Sequence, residues 1–124
     1  MSRPLETWPI DFWANIRLLT PDESGRKTLP HSGIRWNFCF ADEYDRRMER
    51  EFAIGSAWAI FVNDAGAFTI EPEVGLYDVR TRYCLPFEEY RNKTKAKLKI
   101  GTHFFSTEGS HIVAEGVVTE IIDR

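Results

Sequence analysis

The sequence predicts an all-β fold, and three observations support that prediction. Of the 124 residues, 14% are aromatic and 43% are hydrophobic, and the apolar residues come in short clusters separated by Gly, Pro and charged residues. Many short strands that each supply a few side chains to one core produce this pattern. Several segments also alternate apolar and polar residues with a period of two, as half-buried strands do. The length suits one domain, residues 1–124, with a core at about 11–122.

The first predicted strand is DFWANIRLL at 11–19, in which apolar residues recur at every second position. The Pro, Asp, Ser and Gly of TPDESG at 20–25 are turn formers that stop it, and a long loop follows to about Ser32. IRWNFCF at 34–40 has the clearest alternation and predicts a half-buried strand. DEYDRRMERE at 42–51 is almost wholly charged, which predicts a solvated loop or one helical turn.

The second half of the chain predicts further strands separated by turn sequences. The strands lie at 54–63, 68–70, 76–85, near 97–107 and at 111–122. The turns are NDAG at 63–66, PEVG at 72–75 and EGS at 108–110. Six or seven short strands at this spacing predict a β-sandwich or a closed β-barrel.

The segment RNKTKAKLK at 91–99 concentrates positive charge in an acidic chain. Its five basic residues are part of 16 Lys and Arg against 19 Asp and Glu, so the rest of the chain carries 11 − 19 = −8. A pI near 5.6 argues against general nucleic-acid binding, so any such binding has to be local. A solvated face is the favoured interpretation, and an acidic partner met by Arg91, Lys93 and Lys95 is the functional alternative.

The two halves of this basic run have different predicted structures. The first half is predicted to be a mobile extended loop. Lys97 and Lys99 are expected on the next strand, with Leu98 and Ile100 facing the core.

The sequence lacks the motifs of nucleotide and metal chemistry. No GxxxxGK[ST] loop is present, and NKTK at 92–95 lacks the Asp of the guanine-reading tetrapeptide, so no GTP binding is expected. The three His and two Cys residues are far apart, so neither a metal site nor a cofactor is predicted. Cys39 and Cys84 are interpreted as buried, reduced thiols, the alternative being a disulfide if their Cα atoms approach.

No enzymatic activity is predicted either. Glu88 and Glu89 are adjacent, so on an extended segment they point to opposite faces, and no GxSxG elbow is present. A pocket in which His31 converges with a carboxylate would be required for catalysis. The longest apolar stretch, AWAIFV at 57–62, is too short to span a bilayer, and no signal peptide is visible at the start. The expectation is a cytoplasmic protein with no membrane partner.

Two stretches are more specific than these patterns: IRLLTPDESGRKTLPHSGIRWNF at 16–38 and GTHFFSTEGSHIVAEGVVTEI at 101–121. They resemble the opening and closing of the C-terminal barrel domain of elongation factor Tu, with its EGGR-x-T turn, GYRPQF strand and final REGGRTVGAGVV signature. The matching residues are Glu23, Gly25, Arg26, Thr28, Gly33, Arg35, Phe38, Glu108, Gly109, Val113, Gly116, Val117 and Val118. DVRTRYCLPF at 78–87 is similar to the family's DNVKMVVTLIHPI strand through Asp78, Val79, Leu85 and Pro86.

The resemblance implies a closed antiparallel β-barrel of six strands. It also implies binding residues, because this domain of the factor contacts the T arm of aminoacyl-tRNA and the exchange factor. Carried over by position, those residues are Arg26, Lys27 and Thr28 with Glu108 and Gly109. Arg35 and His111 are further candidates for binding a partner or RNA. His111 stands where the family has Arg, and Trp36 and Asn37 replace the Pro and Gln of GYRPQF.

Two functions follow as hypotheses. The first is a non-enzymatic binding module that presents barrel loops to a protein partner, for instance an immunity or antitoxin-like protein or a mimic of the translation factor. The second is a tRNA- or RNA-binding protein that uses the basic turn at Arg26 and Lys27 together with the 91–99 run.

Overall fold

The computed structural model describes residues 4, 7–44, 55–63, 65–72, 79–109 and 111–123. Two short 3₁₀ helices, Pro21–Glu23 and Ala41–Glu43, follow the first two strands. The strands and the α-helix of the described residues are β1 (Phe12–Leu18), β2 (Ile34–Phe40), β3 (Ser56–Phe61), β4 (Val79–Cys84), α1 (Glu88–Lys97), β5 (His103–Glu108) and β6 (His111–Ile121).

The six strands form a closed barrel in the order β1-β4-β3-β2-β5-β6. Every neighbouring pair is antiparallel, and β6 closes the sheet by pairing with β1 along Phe12–Leu18. This confirms the all-β prediction and the closed six-stranded antiparallel barrel, and it rules out the sandwich. Closure satisfies the backbone groups that an open sheet would leave exposed at its edges.

The alternating strand directions give the barrel two ends. We call the end with residues 19–33, 62–63, 65–72 and Gly109 the loop end, because β1, β3 and β5 finish there. We call the other end, with residues 41–44 and 85–102, the helix end. Five of the six strands have six or seven residues, which at about 3.3 Å per residue gives a strand length of roughly 20 Å between the two ends.

Aromatic rings fill the interior of the barrel. Phe12 stacks on Tyr83 with ring centroids 4.9 Å apart, and Phe38 stacks on Phe104 at the same distance. The Tyr83 hydroxyl lies 3.1 Å from Ser106 Oγ, so this buried polar group has a partner. Burial raises the pKa of the Tyr83 phenol above its ordinary value, which keeps the ring neutral.

Most predicted strands are confirmed. Those at 11–19, 34–40, 54–63, 76–85 and 111–122 correspond to β1, β2, β3, β4 and β6. The predicted strand at 68–70 is wrong, because Phe68 makes only an isolated bridge to Val62 after the confirmed turn at Asn63. Much of the charged segment at 42–51, most of the PEVG turn and residues 76–78 lie outside the described residues.

The prediction for the basic run is wrong, because its first part belongs to α1 and not to an extended loop. Glu88 and Glu89 stand in the first turn and Lys95 and Lys97 in the last, which suits the helix dipole. Tyr90, Thr94 and Leu98 recur every four residues and are half-buried or buried, so this side of the segment faces the barrel. The alternating charges have a period of two, which predicts an extended segment, whereas the half-buried and buried positions have the period of a helix.

The chain after α1 also differs from the prediction. Leu98 is buried as predicted, but Ile100 is 70% exposed, and β5 begins only at His103. Gly101, at φ 90°, makes a turn here that an L-residue would rarely adopt, so the strand cannot start earlier. Cys39 and Cys84 are both buried thiols, which confirms that prediction. In the described part of the chain, no helix has the length and apolar character to cross a membrane.

Candidate functional site

The barrel separates the predicted site residues into two groups. Arg26, Lys27 and Thr28 on the β1–β2 loop and Glu108, Gly109 and His111 at the β5–β6 hairpin share the loop end, with Arg35 near it on β2. Arg91, Lys93 and Lys95 are on α1 at the helix end. One ligand therefore has to span the length of the barrel to contact both groups.

Glu108 is the centre of the loop-end group. Its Oε2 accepts hydrogen bonds from Arg26 Nη1 at 2.6 Å and from the indole Nε1 of Trp36 at 2.8 Å. Arg26 also donates from Nε to the carbonyl of Thr28 at 3.3 Å. Arg26 therefore ties the β1–β2 loop to β5, and its charge is largely compensated by Glu108.

The loops of this end are held together by Ser32, which is 3% exposed. Its backbone N–H donates to the carbonyl of Ile70 at 2.6 Å, and its hydroxyl donates to the carbonyl of Thr69 at 2.6 Å. The same hydroxyl accepts the Phe61 backbone N–H at 2.8 Å. The β1–β2 loop and the segment after β3 are thus positioned relative to each other.

The two loops that Ser32 connects expose apolar and basic side chains. Leu29 is 49% exposed and Ile70 is 61% exposed, and Lys27 and His31 are exposed as well. A cleft of about 170 Å³ beside Leu29 and Lys27 is also lined by Leu19, Arg26 and Val113, among others. The loop end offers a mixed apolar and cationic surface on a fixed backbone.

We expect Glu108→Ala to lower the free energy of unfolding by about 2 kcal/mol. The reason is that the indole N–H of Trp36, whose side chain is 1% exposed, loses its acceptor. Urea denaturation followed by tryptophan fluorescence measures the change. Glu108→Gln keeps an acceptor oxygen and is expected to lose less, as is Glu115→Ala, which removes a carboxylate that pairs only at the surface with Arg17. Equal losses in all three variants would contradict the role of Trp36.

The start of the β1–β2 loop has an ion-paired cap. The Glu23 carboxylate accepts the Thr20 backbone N–H at 3.0 Å and the Arg17 guanidinium at 3.0 Å. The Thr20 N–H, followed by Arg17, holds the pKa of Glu23 below its ordinary value. Because the pKa is lower in the folded state, this carboxylate stabilises the fold above its unfolded pKa, and the contribution is lost as pH falls through the folded pKa.

An NMR pH titration should therefore give a Glu23 midpoint below that of an unperturbed Glu. In Arg17→Gln the midpoint should rise only part of the way, because the Thr20 N–H is the larger cause. A midpoint that returns fully to the ordinary Glu value in this variant would show that the ion pair, and not the backbone hydrogen bond, dominates.

The basic residues of the helix end differ in how far their charge is available. Lys95 Nζ lies 3.5 Å from Oδ1 of the fully buried Asp11 and also donates to the Ile122 carbonyl. Lys97 pairs with Asp42 at 3.2 Å and with Glu43. Lys93 is exposed and, among the described residues, pairs only with Glu89, at 3.7 Å. Replacing Lys95 is therefore expected to affect folding, unlike replacing Lys93.

The described residues contain no cluster of three or more His, Cys, Asp or Glu that could hold a metal ion. His31 is exposed, and its Nδ1 lies 3.1 Å from the Ser32 carbonyl. The cleft beside Leu29 is lined by neither a His nor a carboxylate.

Sequence reasoning missed Trp36 and Ser32 as organisers of this end. The sequence predicts Trp36 only as part of the half-buried strand at 34–40, and a lone Ser at the end of a long loop carries no signal of the bonds it makes. The exposure of Ile70 was missed because residues 68–70 were interpreted as a strand. No protein-family model matches the chain, and no curated protein matches it in sequence.

Proposed function

We propose that this chain is a non-enzymatic binding module whose loop end binds a protein partner. The observation that carries the proposal is the exposure of Leu29 and Ile70 on two loops that Ser32 holds together. Exposed apolar side chains on a preorganised backbone lower the entropy cost of association. The flanking Lys27 and His31 supply the polar rim that such interfaces have.

Exposed apolar residues at the helix end support an interface less well. Phe87 is 54% exposed and Ile100 is 70% exposed. They lie before and after α1, whose 10 residues span about 15 Å, so they are separated along the helix. Leu29 and Ile70, by contrast, lie on two loops that are hydrogen-bonded to each other, because the Ser32 N–H donates to the Ile70 carbonyl.

The resemblance to the C-terminal barrel domain of elongation factor Tu supports the same proposal, because that domain meets its partners through loops at the positions of Arg26 and Glu108. An immunity or antitoxin-like protein and a mimic of the factor are both modules of this kind. RNA binding has less support. Its two basic groups lie at opposite ends of the barrel, and Arg26, Lys95 and Lys97 are already paired with carboxylates.

The test is capture with a tagged chain from cells that express it, followed by binding of the captured protein with purified components. Leu29→Ser combined with Ile70→Ser should abolish or strongly weaken binding. Phe87→Ser combined with Ile100→Ser is the matched control, since it removes apolar surface of the same kind from the helix end. Binding that is lost only in the control would overturn the proposal.

A parallel titration with purified tRNA separates the two functions. Contacts to about five phosphates predict a slope of log affinity against log salt of roughly −3.5 to −4.5. We expect no such binding at low salt. A slope in that range that depends on Arg26 and Lys27 would replace the proposed protein partner with RNA.

A further inference from the structure

A row of alternating Arg and Trp side chains crosses the outer face of four neighbouring strands. Arg35 on β2 pairs in register with Trp58 on β3, and Arg82 on β4 pairs with Trp13 on β1. Trp58 pairs with Cys84, two residues from Arg82 on β4, and Arg80 lies two residues before Arg82. We call Arg35, Trp58, Arg82, Trp13 and Arg80 the Arg–Trp row.

Stacking orders the charged groups of this row. The guanidinium carbon of Arg80 lies 4.4 Å from the centroid of the Trp13 ring, and that of Arg82 lies 5.2 Å from it. Arg82 Nη2 also donates to the Gly66 carbonyl at 3.4 Å. A guanidinium that stacks on an indole keeps its in-plane N–H groups available as donors, and it loses little entropy when it binds an acceptor.

The outward positions of β1, β2, β3 and β4 contain no Asp or Glu, although acidic residues outnumber basic ones, 19 to 16, in the whole chain. Arg35 and Arg80 are exposed, and neither forms an ion pair with another described residue. Trp58 Nε1 is buried and has no acceptor among the described residues. In the described part of the chain, Arg35 and Arg80 therefore carry positive charge and N–H donors that no carboxylate pairs with.

The packing of the aromatic rings in the Arg–Trp row indicates which kind of ligand the row can bind. Single-stranded nucleic acid binds through bases stacked on open aromatic faces. Here Trp13 is already in contact with two guanidinium groups, and Trp58 packs against Trp8 with ring centroids 4.7 Å apart. What remains for a ligand is the set of N–H donors, and carboxylates match planar guanidinium donors in a bidentate way.

We propose that the Arg–Trp row docks an acidic segment of a protein partner, with Asp or Glu carboxylates paired to Arg35 and Arg80. This inference rests on the proposed protein-binding function and names the chemistry of the partner. The row lies on the flank of the barrel, and Arg35 brings it close to the loop end, so one partner can contact both surfaces.

The probe is a short dye-labelled peptide of alternating Glu and Gly, with a Gln-for-Glu peptide as its control, titrated at low ionic strength. Fluorescence anisotropy should show binding of the Glu peptide only, and Trp fluorescence should change along with it. Arg35→Gln combined with Arg80→Gln should weaken binding about fivefold. Lys99→Gln removes a positive charge from an exposed helix-end position and should leave affinity unchanged.

A further variant and a competing ligand test whether binding depends on guanidinium groups paired with carboxylates. Arg80→Lys keeps the charge but loses the planar stacking, so it should bind more weakly than the native chain. Three results with the peptides and variants would each overturn the inference: equal binding of both peptides, equal weakening in the lysine control, or full affinity in Arg80→Lys. Displacement of the peptide by a lower concentration of single-stranded RNA would overturn it as well. The Leu29→Ser and Ile70→Ser variant should still bind the peptide, so failure of the loop-end proposal and failure of this inference are separate results.

Discussion

Asp11→Ala is expected to lower the free energy of unfolding by about 3 kcal/mol. Asp11 is fully buried, and its Oδ2 accepts the Leu85 backbone N–H at 2.6 Å while Oδ1 faces Lys95 Nζ. Its backbone joins the same region, because Asp11 N–H donates to the Tyr83 carbonyl and the Asp11 carbonyl accepts the Ile122 N–H. Removing the carboxylate takes the Asp11 acceptor from the buried Leu85 N–H, and it leaves the largely buried Lys95 ammonium with the Ile122 carbonyl but without the charge of Asp11.

Two variants separate the parts of this effect in chemical denaturation. Asp11→Asn keeps an oxygen that can accept the Leu85 N–H, so it should lose less than Asp11→Ala. Lys95→Met removes the cation and preserves most of the packing of its stem, and it should lose the least. If Asp11→Ala cost no more than Lys95→Met, the ion pair and not the hydrogen bond to Leu85 would be the main contribution.

Gly116→Val is expected to lower the free energy of unfolding by about 3 kcal/mol, because it overfills the barrel. A Cβ at Gly116 would lie 2.4 Å from Cζ of Phe104 and 2.9 Å from Cγ2 of Ile16. Phe104 is 1% exposed and packs against three other interior rings, so it has little room to move. Because Gly116 has no side chain, the Phe104 ring can pack directly against the backbone of β6 at this position.

A double variant checks this cause by thermal or urea unfolding. Phe104→Leu shortens the side chain that clashes, so Gly116→Val combined with Phe104→Leu should cost at least about 1 kcal/mol less than the sum of the single changes. Thr119→Val replaces a hydroxyl with a methyl group at an exposed position of the same strand and should change stability little. Additive single and double effects would contradict the clash.

The strands of the barrel could be predicted because their inward and outward residues alternate. Phe12, Ala14, Ile16 and Leu18 are buried in β1, as the pattern indicated. The helix α1 could not be predicted because only three positions of the segment, Tyr90, Thr94 and Leu98, follow the helical period of burial, and one of them is a polar Thr. Tertiary packing here selected between two local conformations that the charge pattern did not distinguish.

The candidate site was predicted in part. The resemblance brought Arg26, Thr28 and Glu108 together, and the structure joins them through hydrogen bonds. It did not indicate that Trp36 shares the carboxylate or that Ser32 connects the loops, because these contacts join residues that are 72 and 37 positions apart. The Arg–Trp row could not be predicted from the sequence for the same reason, since its members come from four strands.

The sequence by itself determined the all-β class, the bounds of most strands and the side of each strand that faces the core, since these depend on local alternation and turn chemistry. The tertiary structure alone decided which residues share a surface. Closing the sheet in the order β1-β4-β3-β2-β5-β6 placed Arg26 and Glu108 at one end, the basic helix at the other and the Arg–Trp row on the flank. Pairing between distant strands is set by the packing of the whole interior, which no short segment encodes.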